Sequence, residues 1–87
     1  MNKREKSFAA LMKREPRISV NPKIMGGSPC IKDTRIPLYV ILDNLEGGCS
    51  LEEIRGNYPS LAVQDIQAAI RFSSNLTSAL AHANPAR

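Results

Sequence analysis

Residues able to do chemistry are sparse along the 87-residue chain. The stretch IMGGSPCIKDTRIP, Ile24 to Pro37, has the glycines of a phosphate-cradling loop. Such a loop needs Gly-x4-Gly-Lys-Ser/Thr between a strand and a helix. Here the second glycine and the Gly-Lys pair are missing, and Pro29 removes a backbone donor that would face the phosphate. The stretch therefore reads as a turn leading a short strand into a helix. Cys30, Cys49 and His82 lack metal-ligand spacing and fit no nucleophile–base pair. The thiols read as reduced, packed as small apolar groups. Glu52 and Glu53 are adjacent, so on a helix they point about 100° apart and form no carboxylate dyad. They suit a helix N-terminus instead. These readings predict no enzyme, no metal, no cofactor and no small-molecule substrate.

Recognition chemistry is better represented. Gln64, Gln67, Arg71 and Asn75 fall at i, i+3, i+7 and i+11, a polar stripe along a predicted helix. Gln, Arg and Asn are the side chains that make bidentate contacts to base edges in the major groove. The same stripe also describes the solvent face of any amphipathic helix, and spacing does not separate the two. Asp65 weighs against DNA because phosphates repel a carboxylate. It could instead serve the helix N-terminus or pair with Arg35.

The elements that would position these residues follow from pattern. Residues 1–17 hold six basic groups against two acidic ones, a net +4 equal to that of the whole chain. The remainder is neutral, so the charge excess sits in an N-terminal arm suited to an anionic partner, or to solubility alone. Residues 1–16 read as separable, with Phe8, Leu11 and Met12 on one side of a short amphipathic helix ended by Pro16. So short a helix is marginal alone, and is expected to be disordered unless it docks. RISVN and PCIKDTRI read as two short strands turned by Gly26-Gly27. Two strands are marginally stable, so they pack on helices or pair with a second subunit. Ile18, Val20, Cys30 and Ile31 are the expected dimer element.

Pro37 suits the first turn of the next helix. Leu38, Ile41, Leu42 and Leu45 form its apolar stripe, and Gly47-Gly48 ends it. Ser50-Leu51-Glu52-Glu53 has the capping-box form. Leu51, Ile54 and Tyr58 are its expected inner face, and Tyr58-Pro59 stops that helix. The last helix runs about five turns, with Ile66, Ala69, Ile70, Ser73 and Leu80 on the expected buried side. The fold class predicted is mainly α: a short N-terminal β-hairpin, then a three-helix, helix-turn-helix (homeodomain-like) body over residues 17–82, with a tail at 83–87. The helix-turn-helix arrangement is a DNA-binding motif and also a common packing unit. No run approaches the roughly 18 apolar residues of a membrane span, and no apolar segment follows the charged N-terminus as in a signal peptide. A cytoplasmic location is expected.

Over about residues 17–73 the sequence resembles the small bacterial and archaeal family first catalogued as domain of unknown function 433. The likeness rests on the Asn-Pro of the first strand, Gly-x-Pro-x-Ile, Thr-Arg-Ile-Pro, Leu-x-x-Gly followed by Ser-x-x-Glu-Ile, Tyr-Pro-x-Leu and Asp-Ile-x-Ala-Ala. Members are regarded as VapB-like antitoxins, often encoded beside a PIN-like ribonuclease. The resemblance thus implies a type II antitoxin that binds and neutralises such a toxin, and represses its own operon as a homodimer on operator DNA. Two positions depart from the family: Asp33 stands where Gly is usual, and Ala62 where Thr or Ser is usual. Asp tolerates a left-handed backbone better than most residues. Ala62 forfeits a helix N-cap worth about 1 kcal/mol, which Ser60 would restore by starting the helix earlier.

On this reading Arg14 and Arg17 fork onto the carboxylates of a PIN-like metal site, and Phe8, Leu11 and Met12 anchor the arm in a groove. Gln64, Gln67, Arg71 and Asn75 meet DNA, and basic groups near the hairpin or in the arm meet phosphates. The alternatives are a toxin-binding module without DNA binding, and a standalone transcriptional regulator.

Overall fold

The computed structural model describes the backbone of residues 3–83 and the side chains of residues 8–81. The expected tail, apart from Ala83, lies outside the described residues, as does the His82 side chain. The order is α1 (Lys3–Arg14), β1 (Ile18–Ser19), a tight turn at Met25–Gly27, β2 (Cys30–Ile31), α2 (Leu38–Glu46), α3 (Leu51–Asn57) and α4 (Val63–Ala83). The architecture is mainly α with a short hairpin, as expected.

The arm forms the expected amphipathic helix but is not separable. It is a helix docked on the body. Phe8 meets Phe72 of α4 edge to face at 6.2 Å, and Leu11, only 7% exposed, joins the core with Met12 packed against it. An isolated helix of this length is marginal, so tertiary burial of its apolar side stabilises it. Glu15, just past its end, is 2% exposed and takes the Arg71 guanidinium on both carboxylate oxygens. The expected boundary at residue 16 is therefore no division in packing.

The hairpin is shorter than its sequence pattern. Ile18 pairs with Ile31 and Ser19 with Cys30, antiparallel. PCIKDTRI leaves the strand after Ile31, because Thr34 folds back on it. Its N–H and Oγ1 both donate to the Ile31 carbonyl, at 3.1 and 2.7 Å, and Oγ1 accepts the Ile36 N–H at 3.1 Å. Asp33 at the apex has φ 62°. That is the left-handed backbone for which glycine would be the default and Asp the tolerated exception. Ile18, Cys30 and Ile31 are buried in the chain itself, and of the expected dimer element only Val20 is exposed, at 37%. The reason is local: β1 stops at Ser19, so Val20 does not share the inner face of Ile18.

Helices α1, α2 and α3 all pack on α4. Pro37 is the N-cap of α2, one position before the first turn. The end of α2 is a Schellman motif: Cys49 N–H bonds the Asn44 carbonyl and Gly48 N–H that of Leu45, both at 3.0 Å, with Gly48 at φ 91°. The capping box of α3 is complete, with Ser50 Oγ accepting the Glu53 N–H and Glu53 Oε1 accepting the Ser50 N–H. Ile54 is fully buried and Tyr58 partly so, whereas Leu51 is exposed.

On α4 the buried side is rotated from the one expected. Ile66, Ala68, Ala69 and Phe72 are buried, with Leu76 and Ala79 beside them. Ile70 is 43% exposed, and Leu80 is exposed too. Phe72 at the centre is selected by the α1 residues that cover it. The helix begins at Val63, so Ser60 does not restore the cap. Asp65 supplies half of one from inside: its Oδ2 accepts the Ala62 N–H at 2.8 Å.

Candidate functional site

Two surfaces carry the recognition chemistry. The first is the outer face of α4. Gln64, Gln67 and Arg71 are exposed there, and Asn75 lies half-buried at its edge. Ile70 adds an apolar group to the same face. Arg71 is not free. Its Nε donates to Glu15 Oε1 and its Nη2 to Oε2 at 3.0 Å. The hydrogen bond to Glu15, and then the carboxylate charge, raise the guanidinium pKa further. A base-reading role for Arg71 thus competes with the docking of α1.

Asp65 occupies the first turn of α4, where it meets Arg17 rather than Arg35. Arg17 Nη1 donates to Oδ1 at 2.9 Å. With the Ala62 N–H on its other oxygen, the carboxylate is neutralised and held inward. The expected conflict between Asp65 and phosphates is thereby weakened. Arg17 is half engaged: its side chain keeps 47% of its surface.

The second surface is an open groove of about 660 Å³ beside the hairpin. One wall is Ser19, Val20, Asn21, Pro22 and Ile24; the other is the turn Lys32, Asp33, Thr34 and Arg35. Asn21 Oδ1 accepts the Lys23 N–H at 2.9 Å, which fixes the first wall as an Asx turn. The Thr34 hydrogen bonds fix the second. Lys32 N–H also donates to the Arg17 carbonyl at 2.7 Å. Arg17 therefore ties this turn to the first turn of α4. Sequence reasoning placed basic groups near the hairpin without assembling a groove, because its walls lie a dozen residues apart along the chain.

The residues expected to contact a toxin divide. Phe8, Leu11 and Met12 pack against the chain's own core, so α4 provides the groove anticipated on a partner. Lys13 and Arg14 point outward and are exposed. Cys30 is buried and donates its thiol to the Ser28 carbonyl; burial raises its pKa, so it is held as the unreactive thiol. Among the described residues no group of His, Cys, Asp or Glu could hold a metal ion, and no helix is long and apolar enough to cross a membrane.

Residues 18–73 match the family described as "Protein of unknown function (DUF433)", and the chain belongs to it. It is 33% identical over 70 residues to the "Uncharacterized protein y4eO" of Sinorhizobium fredii. The match covers 80% of this chain but only 28% of that relative. Among solved structures, the fold is similar to that of a crystal structure of a DUF433 member from Anabaena variabilis. That likeness has a TM-score of 0.69 at 21% identity and covers 94% of this chain and 83% of the other.

Proposed function

We propose that the protein is a non-enzymatic recognition module of a type II toxin–antitoxin pair. It acts in the cytoplasm, holding a PIN-like ribonuclease inactive and binding DNA upstream of its own operon as a homodimer. The toxin half rests on the resemblance of its sequence to VapB-like antitoxins. With the apolar side of α1 docked inward, the outward Lys13, Arg14 and Arg17 are the groups placed to meet the carboxylates of such a toxin. The DNA half rests on α4. The observation that carries it is an exposed Gln64–Gln67 stripe, in the chemistry of base-edge contacts, at the end of α4 that Arg17 ties to a cation-bearing turn. A homodimer would place two α4 helices on half-sites about 34–36 Å apart.

The test is an electrophoretic shift at stated salt with the upstream duplex and a scrambled duplex. Preference for the upstream sequence, lost in Gln67→Ala, is the expected result. Equal binding to both, unchanged in Gln67→Ala, would remove the operator half. The toxin-binding module without DNA binding would then remain.

A further inference from the structure

The neutrality of residues 18–87 conceals a separation of charge by element. Residues 18–37 carry Lys23, Lys32 and Arg35 against Asp33, a net +2. Residues 38–57, spanning α2 and α3, carry Asp43, Glu46, Glu52 and Glu53 against Arg55, a net −3. Outside α1, which carries its own basic excess, the hairpin segment is thus the positive pole and α2–α3 the negative one. An approaching polyanion is drawn to the first and turned away from the second.

The cations of the positive pole are also differently employed. Neighbouring Arg17 is half engaged by Asp65. Lys23, Lys32 and Arg35 are all exposed, and their side chains have no ion pair among the described residues. Lys32 and Arg35 line the groove at either end of the turn locked by Thr34, and Lys23, exposed and outside the lining, follows Pro22 of the facing wall in the chain. Charges on a braced backbone are presented without the cost of ordering a loose segment.

We propose that Lys23, Lys32 and Arg35 form a phosphate-binding rim that grips the DNA backbone next to the bases met by α4. This rests on the DNA half of the function proposed above and assigns its backbone contacts to the hairpin. Duplex DNA is favoured over an acidic peptide. Isolated exposed ion pairs contribute little unless anchored by apolar contacts, and Lys32 and Arg35 border an open groove rather than a buried anchor pocket. Exposed cations act effectively on DNA, where each neutralised phosphate releases condensed counterions.

The experiment measures affinity by fluorescence anisotropy for the upstream duplex and a scrambled duplex, from low to physiological salt. It compares the intact protein with Lys23→Gln, Lys32→Gln and Arg35→Gln, singly and together. These sites are exposed, and thermal melts confirm equal folding. Each single change is expected to reduce the slope of log affinity against log salt by about 0.9 on both duplexes alike. Over a fourfold range of salt, each lost contact then makes binding about 3.5-fold less salt-sensitive. If the intact protein prefers the upstream duplex and the slopes do not change, the rim is refuted while operator binding stands. If the slopes fall but neither duplex is preferred, the rim stands and operator recognition fails. Binding to neither duplex refutes both. Rim-dependent binding of a poly-glutamate peptide, with unchanged DNA slopes, would give the groove to an acidic protein and overturn the proposal.

Discussion

Leu11→Ala and Ile70→Ala should have opposite consequences to those that helix periodicity alone predicts. Leu11 belongs to an arm that reads as separable, and Ile70 to a stripe that reads as core. In the structure Leu11 is 7% exposed against α4 and Ile70 is 43% exposed. Truncating a buried Leu to Ala costs about 2–5 kcal/mol, the lower part applying where the surroundings relax into the space. Leu11 sits on a peripheral helix, so about 2–3 kcal/mol is expected. For a domain of this size each kcal/mol shifts Tm by about 4–8 °C. Leu11→Ala should therefore lower Tm by roughly 10–20 °C. An exposed substitution stays within about 0.5 kcal/mol, and Ala is the better helix former, so Ile70→Ala should move Tm by no more than about 4 °C. Thermal melts followed by far-ultraviolet circular dichroism measure both. A silent Leu11→Ala, or a larger loss from Ile70→Ala, would show that α1 does not dock as described. Its apolar side would then be available for a partner.

Other expectations concern backbone and caps. Asp33→Gly should be within about 0.5 kcal/mol of neutral in denaturant titration, since relief of the left-handed strain is offset by the looser unfolded chain; Asp33→Val should cost at least about 1–2 kcal/mol. Gly48→Ala and Gly56→Ala should differ in sign. An added Cβ meets nothing within 4 Å at either site, but Gly48 has φ 91°, so the first should lose about 1–2 kcal/mol and the second gain about 0.5–1 kcal/mol. Ser50→Ala should cost about 1 kcal/mol at neutral pH. The Ser50 backbone hydrogen bond, and then its side-chain one, lower the Glu53 pKa. Ser50→Ala keeps the backbone donor, so this contribution is read on Glu53 instead: it is present above the ordinary Glu value and lost as pH falls through the lowered one, and the gap between Glu53→Ala and the intact protein should narrow in acid.

What could be read beforehand was local. The Ser50–Glu53 capping box, the Gly47-Gly48 stop and most of the Leu38–Ile41–Leu42–Leu45 stripe each depend on a few adjacent residues and lie where their pattern places them, with Leu38 and Ile41 buried, Leu45 against the core and Leu42 partly exposed. What escaped reading was set by distant partners. The phase of α4 was misread because Ile66 and Ala69 belong to two stripes, one completed by Ile70, Ser73 and Leu80 and the other, the buried one, by Ala68 and Phe72. Phe8, 64 positions before Phe72 in sequence, resolves it. Likewise Glu15 gives no sign in sequence that it will be buried against Arg71, 56 residues on. The α4 stripe was legible as a polar face, but the engagement of Arg71 within it was not. The hairpin cations were visible singly, whereas the groove required the Thr34 turn and the Asx turn at Asn21 to bring its walls together.

The most direct test of the proposed function is co-expression with the product of the adjacent gene, followed by purification on a tag carried by this chain alone. The account predicts a stable complex with a small ribonuclease that cleaves a fluorogenic RNA only after the two are separated. Recovery of this chain alone, or of a complex whose ribonuclease is fully active, would contradict it.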